Sequence, residues 1–252
     1  MSPQEPSAPT PPGAAPRVLI ERTADVLTFT LDNPQHGNEV IGEMFDAMLA
    51  ELRSEVPTPR ARVLRIRAYG KVFCTGRQRA GRDAVAIRNE VTRIIEFQRA
   101  LRTSALISVA EVQGDAFGFG FGLAILCDFV LVAENASLAF PEMRSGLAPA
   151  AIMAYLGEYT LPRFAFPMVL FGDPITPHRA LLIGLISQVC PREHLAGEAN
   201  ALVERILRLD PAAARQCKEF FLFAQQNSFQ QNCHRAIEAL TEGSLALLAR
   251  QK

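Results

Sequence analysis

The spacing of hydrophobic residues changes several times along the first half of the chain. Residues 17–22 and 26–32 are two short runs rich in β-forming residues on either side of a polar break, a pattern typical of a β-hairpin. Apolar residues then recur with helical spacing over 38–56 and over 84–101. Three further apolar runs have the length of buried strands, at residues 61–68, 106–112 and 129–133. Strands that alternate with helices in this way predict an α/β fold.

The last third of the chain has a different pattern. From residue 148 onward the spacing predicts mostly helices, which we expect to be broken at prolines 162, 167, 174, 177, 191 and 211. We therefore predict an α/β core over residues 17–190 and a helical region over 191–252. Residues 1–16 hold six prolines and no apolar periodicity, and we interpret them as a disordered tail.

Composition narrows the classes of protein to consider. The 252 residues are 49% hydrophobic and 21% charged, which suits a well-buried core. The formal net charge is zero, whereas nucleic-acid binding needs an excess of positive charge. Five scattered cysteines without a C-x-x-C pair indicate neither a disulfide framework nor a zinc site. The longest uncharged apolar run, 116–127, is too short to span a bilayer. We predict a cytoplasmic protein without a metal, nucleic-acid or membrane partner.

Candidate chemistry concentrates between residues 110 and 149. A glycine-rich corner from Gly114 to Gly122 joins an apolar strand to a helix-like run, and Glu142 follows the next strand after Pro141. Glycine lets the backbone approach a ligand closely, and the first amides of a helix have no partner within it. A carboxylate beside such amides can act as an acid or base. The residues alone leave open a simple packing corner and a capping role for Glu142.

Several segments in order resemble the crotonase family, the enoyl-CoA hydratase/isomerase superfamily. They are KVFCTG at 71–76, AEVQGDAFGFGFGLAILCD at 110–128, Pro141–Glu142, and GLAP at 146–149. LDNPQHGN at 31–38 resembles the family's first loop, and residues 171–189 resemble a later family segment. The resemblance extends over about residues 17–250. It implies a spiral core of ββα units and a C-terminal helical trimerisation region, with a homotrimer or a hexamer of two trimers.

The resemblance also implies the chemistry. The substrate would be an acyl-CoA thioester, so coenzyme A arrives with the substrate and no cofactor is bound permanently. The backbone N–H groups of Arg77 and Phe119 would form an oxyanion hole for the thioester enolate, with Glu142 as acid and base. Many hydratases of the family have another glutamate at the position of Gly122. A single carboxylate suits either double-bond isomerisation or a one-glutamate hydratase. A degenerate homologue that binds acyl-CoA without turnover is the alternative.

The resemblance further suggests which residues contact the substrate. Contacts with coenzyme A are expected from Gln35, His36, Asn38, Arg77, Arg79 and Lys218, the last from a neighbouring subunit. An acyl pocket is expected from Phe117, Phe121, Phe140 and Tyr155. The arginines could instead belong to a solvated loop, and each of these aromatic side chains could belong to the core. We expect Asp128 to stabilise the turn after Cys127.

Overall fold

Eight strands build the frame of the part of the chain that the structure describes. A computed structural model describes residues 15–56 and 58–250, without the side chain of the last of these. The predicted disordered tail therefore lies, up to residue 14, outside the described residues. The strands are β1 Arg17–Arg22, β2 Val26–Asp32, β3 Val63–Ala68, β4 Ile107–Val112, β5 Ala116–Phe117, β6 Phe129–Ala133, β7 Leu138–Ala139 and β8 Gln188–Cys190.

Nine helices accompany these strands in the part of the chain that the structure describes. They are α1 Gly42–Ser54, α2 Ala84–Arg102, α3 Phe119–Ile125, α4 Ala150–Leu156, α5 Pro162–Phe171, α6 Pro177–Leu182, α7 Leu195–Leu207, α8 Pro211–Gln226 and α9 Phe229–Arg250. The predicted hairpin, the two long helices of the first half and the three buried strands all occur, with ends that differ by a few residues.

The strands form one large sheet and one small one. The large sheet has the order β1-β2-β3-β4-β6-β8, in which β1 and β2 are antiparallel and every other pair is parallel. β5 and β7 pair in parallel as a separate sheet. Single bridges from Cys74 to Ala116 and from Leu138 to Ile175 extend this small sheet on both sides. The small sheet thus aligns loops that are distant in sequence.

Both faces of the large sheet are covered. Alternate residues of a strand point to opposite faces, so Leu64 joins the larger apolar cluster, whereas Val63 joins a second one. The second cluster contains Ala199 and Val203 of α7. Parallel sheets normally need such cover on both faces. Because α7 lies beyond residue 190, the covering of the sheet continues into the predicted helical region, and the boundary drawn there stays a prediction.

Most of the prolines in the last third of the chain mark helix boundaries, as predicted. Pro162, Pro177 and Pro211 stand at the first position of α5, α6 and α8, where the missing N–H of proline leaves no hydrogen bond unmade. Pro167 lies inside α5, so the break predicted there was wrong. One short strand, β8, also occurs in this mostly helical third, because three residues pair with the edge of β6. A run that short has no period of its own to detect.

Lys218 attaches α8 to the core. Its ammonium group donates to the carbonyl of Leu106 and to Oδ2 of Asp128, both at 2.6 Å, and its side chain is 8% exposed. The same Asp128 oxygen accepts from the N–H and hydroxyl of Ser108. Asp128 therefore stabilises the turn after Cys127, as expected.

Among the described residues, no helix combines the length and the hydropathy needed to cross a bilayer.

We expect Lys218→Met to lower the free energy of unfolding by about 2 kcal/mol, because it leaves Asp128 and the Leu106 carbonyl without this donor. Urea denaturation measures the change. Arg215→Met on the same helix is the control, since it removes only the exposed pair with Glu219 and should change stability by less than about 0.5 kcal/mol. Equal effects of the two substitutions would contradict this role of Lys218.

Candidate active site

Two loops lie side by side because of parallel backbone bridges. The N–H of Cys74 donates to the carbonyl of Asp115, and the N–H of Phe117 donates to the carbonyl of Cys74. Val40 makes both hydrogen bonds of its bridge with Arg77, through the carbonyl of Gly76 and the N–H of Gln78. The N–H of Arg77 takes no part in that bridge. The segment 74–78 therefore presents the N–H of Arg77 beside the start of α3.

The amide of Phe119 is presented by the start of α3. Phe119 is the first residue of the helix, so its N–H has no acceptor within the helix. Gly118 precedes it with a φ of 51°, a left-handed conformation that favours glycine. A Cβ atom on Gly120 would lie 2.1 Å from the carbonyl oxygen of Cys74. Glycine at that position is what lets the two loops approach each other so closely.

Glu142 is carried to the same place by β7. The N–H of Gly118 donates to the carbonyl of Ala139 at the end of β7, and a 3₁₀ turn over Pro141–Ser145 follows. A Cβ atom on Gly118 would lie 2.8 Å from Oε1 of Glu142, so the carboxylate lies directly against the glycine corner. Its other oxygen, Oε2, is buried and has no hydrogen-bond partner among the described residues.

Burial governs the protonation of Glu142. It raises the pKa of this carboxyl group, because the ionised form loses solvation. A hydrogen bond from its own backbone and the positive charges of Arg79 and Arg77 oppose that shift without cancelling it. A raised pKa makes the ionised carboxylate a stronger base, which suits a group that removes a proton and returns it.

One cavity contains these groups. Its volume is about 670 Å³, within the range typical of small-molecule sites. Gly76, Arg77, Gly118, Phe119 and Glu142 line it together. The apolar part of its wall comes from α2, α4 and the segment before α4, through Val91, Ile94, Leu147 and Ile152. The two residues that carry these amides, the carboxylate of Glu142 and an apolar wall thus share a single space.

A comparison with protein families identifies the chain at the family level. The model of the family described as enoyl-CoA hydratase/isomerase matches residues 21–243. The chain belongs to the enoyl-CoA hydratase/isomerase family. The family and the α/β crotonase-like fold predicted from the sequence are both confirmed.

Three relatives show the extent of the similarity. The mitochondrial enoyl-CoA hydratase domain-containing protein 3 of Xenopus laevis is 27% identical over 213 residues, which are 82% of this chain and 71% of that protein. The crystal structure of an enoyl-CoA hydratase from Mycobacterium smegmatis has a TM-score of 0.85 at 23% identity and covers 92% of this chain and 96% of its own. A Thermobifida fusca YX protein solved in complex with CoA has a TM-score of 0.81 at 26% identity, covering 92% and 94%.

The side chain of Arg77 is turned towards α2. It forms an ion pair with Glu90, whose Oε2 also accepts from the N–H groups of Ala80 and Gly81 at 3.1 and 3.0 Å. Burial alone would raise the pKa of Glu90, but these amides and Arg77 together lower it. Arg77 therefore contributes its backbone to the cavity while its side chain fastens the loop. Its predicted contact with coenzyme A stays a prediction.

The space beside Gly122 is filled in a way that the sequence did not indicate. A Cβ atom on Gly122 would lie 2.4 Å from the hydroxyl oxygen of Tyr155 and 2.6 Å from Cδ1 of Ile152. The Tyr155 hydroxyl is buried and has no partner among the described residues. Burial, Tyr159 and the charge of Glu142 all raise the pKa of Tyr155, so it stays protonated. No second carboxylate fits beside Glu142 from this position without displacing both side chains.

Several predicted residues do not line the cavity. Asn38 is fully buried, and its amide is used in hydrogen bonds with Asn33, Tyr69 and Val72 that close the first loop. Lys218 is engaged in the core, as described above. Phe121 and Phe140 are fully buried and stack on each other at 4.9 Å, and Phe117 and Tyr155 also lie outside the cavity wall. Phe121, Phe140 and Tyr155 belong to the apolar core, so the cavity wall does not support the predicted acyl pocket, which stays a prediction.

The remaining predicted contacts lie at or near the opening. Arg79 is exposed and lines the cavity. Gln35 and His36 are exposed on the 3₁₀ turn of the first loop, and Nδ1 of His36 lies 3.0 Å from the side-chain oxygen of Asn33. Several polar residues of the wall were not predicted from the sequence, among them Glu39 and Gln98. Gln98 could have been found, because it follows Ile94 by four residues on the apolar side of its helix.

We expect Gly122→Ala to destabilise the protein by about 1–3 kcal/mol, although alanine is the better helix former, because the added methyl group meets Tyr155 and Ile152. Tyr155→Phe removes the nearer of the two atoms. In that background Gly122→Ala should therefore destabilise the protein less. Urea denaturation of the four proteins completes a double-mutant cycle. Strictly additive changes would show that the hydroxyl does not occupy this space.

Proposed function

We propose that this chain is an acyl-CoA enzyme that stabilises a thioester enolate, with Glu142 as its single acid/base. The observation that carries the proposal is one cavity lined by Arg77 and Phe119, whose amides are free of the local backbone pairing, and by one buried carboxylate. Family membership supports the substrate class, and the CoA complex of the Thermobifida fusca relative supports a thioester of coenzyme A.

The chemistry follows from where the charge develops. Glu142 removes a proton from the carbon next to the thioester carbonyl, and the electron pair moves onto the carbonyl oxygen. Two backbone N–H groups directed at that oxygen stabilise the enolate, and each such donor typically lowers the barrier by about 3 kcal/mol. The protonated Glu142 then returns the proton and regains its charge.

Acid/base chemistry by Glu142 alone limits the reactions that fit. Returning the proton two carbons further along converts a 3-enoyl thioester into a 2-enoyl thioester, which is double-bond isomerisation. In one-glutamate hydration, Glu142 takes a proton from water while the water oxygen adds to the third carbon of the acyl group. Glu142 then passes that proton to the second carbon. The filled space at Gly122 supports both routes over one that uses two carboxylates. An acyl-CoA-binding homologue without turnover is the competing function.

The rest of the proposal concerns the partner molecules. Arg79 at the opening and the exposed Gln35 and His36 are the proposed contacts for the coenzyme A portion. A homotrimer or a hexamer is also proposed, supported by large apolar side chains that α8 and α9 expose, such as Phe221 at 64% and Leu240 at 71%. A cytoplasmic location stays a prediction, and the Xenopus relative is named as mitochondrial.

We expect Glu142→Gln to lower turnover by at least about 10³-fold, because the amide cannot exchange protons. The protein should remain folded, since Gln removes a buried charge and keeps the shape. Mass spectrometry in heavy water with matched 2-enoyl-CoA and 3-enoyl-CoA thioesters measures the reaction. Added water indicates a hydratase, and a shifted double bond with deuterium uptake indicates an isomerase.

Glu39→Gln is the matched control, because Glu39 is a second carboxylate on the same cavity wall. The control should keep most of the activity. If Glu39→Gln abolished turnover and Glu142→Gln did not, the assignment of the base would be wrong. Tight binding of every thioester without any turnover by the wild-type protein would favour the non-catalytic homologue.

We expect activity to fall at low pH with an apparent pKa above that of an ordinary glutamate, because burial raises the pKa of Glu142 and the base must be ionised. Arg79 stabilises the ionised form. Arg79→Gln should therefore move this acidic limb to higher pH. The measurement is the pH dependence of kcat/KM for the wild-type protein and for Arg79→Gln. An unchanged or lower apparent pKa in the variant would contradict this role of Arg79.

A further inference from the structure

A polar side chain stands at the inner end of an apolar stripe on α2. Val91, Ile94 and Gln98 line the cavity with the spacing of one helix face. Val91 is 40% exposed, Ile94 is 2% exposed and Gln98 is 5% exposed, and the next residue of the stripe, Leu101, is fully buried in the core. The stripe thus runs from the cavity opening inwards, and Gln98 is its innermost residue on the wall.

The side-chain nitrogen of Gln98 makes no contact that the fold uses. Nε2 of Gln98 is buried and has no hydrogen-bond partner among the described residues. A buried amide N–H without an acceptor destabilises a fold, whereas Leu or Met would fill the same place without that penalty. Ile94, Phe119 and Ile152 are apolar residues of the same cavity wall. A group that enters the cavity is the remaining partner.

The proposed orientation of the substrate limits what that group can be. In the proposed function, the amides of Arg77 and Phe119 and the carboxylate of Glu142 mark the place of the thioester. The acyl chain then extends along the apolar wall that α2 contributes. An amide offers one donor side and one acceptor side but no charge. Its complement is a neutral oxygen group, such as a hydroxyl or a carbonyl, and not a purely hydrocarbon chain.

We propose that Gln98 is a specificity-determining residue that selects acyl groups bearing a hydroxyl or carbonyl oxygen beyond the reacting carbons. This inference rests on the proposed function, since it assumes that a thioester occupies the cavity. A site built to hydrogen-bond a substrate oxygen rejects the analogue that lacks it, because the amide of the site then stays unpartnered. Unsubstituted acyl chains should therefore be the poorer substrates.

The test compares a straight-chain enoyl-CoA with its ω-hydroxy counterpart of equal length. The wild-type protein should prefer the hydroxylated thioester in kcat/KM by about 10-fold or more, the equivalent of one net hydrogen bond. Gln98→Leu should abolish or reverse that preference, mainly by losing the hydroxylated substrate. Gln78→Leu is the matched control, because Gln78 lines the same cavity but is exposed, and it should keep the wild-type ratio.

A binding measurement keeps the inference separate from the proposed function. Calorimetry with the saturated acyl-CoA and its ω-hydroxy counterpart, which cannot react as enoyl thioesters, reports selection even if no thioester is turned over. Gln98→Met serves as a second variant if Gln98→Leu does not fold. The inference would be overturned if the wild-type protein bound the saturated acyl-CoA and its ω-hydroxy counterpart with equal dissociation constants. It would also be overturned if the variants lost affinity equally for both ligands.

Discussion

The alignment of three backbone segments by parallel pairing is the constraint on which the rest of the site depends. Cys74 makes both hydrogen bonds of its bridge to the strand that starts at Ala116, and β7 pairs with the other side of that strand. Three segments from distant parts of the sequence are thereby fixed at the spacing of neighbouring strands. Each segment then ends in a functional group: one amide, a second amide, and a carboxylate.

Such an arrangement explains why the chemistry needs few special side chains. Backbone amides cannot be changed by substitution, so Arg and Phe can stand at the two donor positions without loss of the donors. What the sequence must supply is room for close approach, and Gly118 and Gly120 supply it against Glu142 and Cys74. Only the carboxylate depends on the identity of its side chain. Burial gives that carboxylate its raised pKa.

The sequence predicted the fold well wherever a period could be counted. α1, α2 and the buried strands have runs long enough to show their spacing, and the glycine corner with Glu142 was located by resemblance to the family. The side-chain environments were not predictable in the same way. Phe121 and Phe140 look like pocket residues in a linear sequence, yet their direction depends on how α3 packs. The amide partners of Asn38 lie about thirty residues away, and no local pattern reveals them.

The ion pair between Arg77 and Glu90 has a mechanical consequence. Glu90 belongs to the same helix as the stripe that ends at Gln98, and it also binds the amides of Ala80 and Gly81. The ion pair therefore links the segment that carries the proposed enolate donor to the helix that carries the proposed acyl wall. An acyl group that displaced this helix would also move the donor, so that acyl selectivity and catalytic rate would be coupled through Glu90.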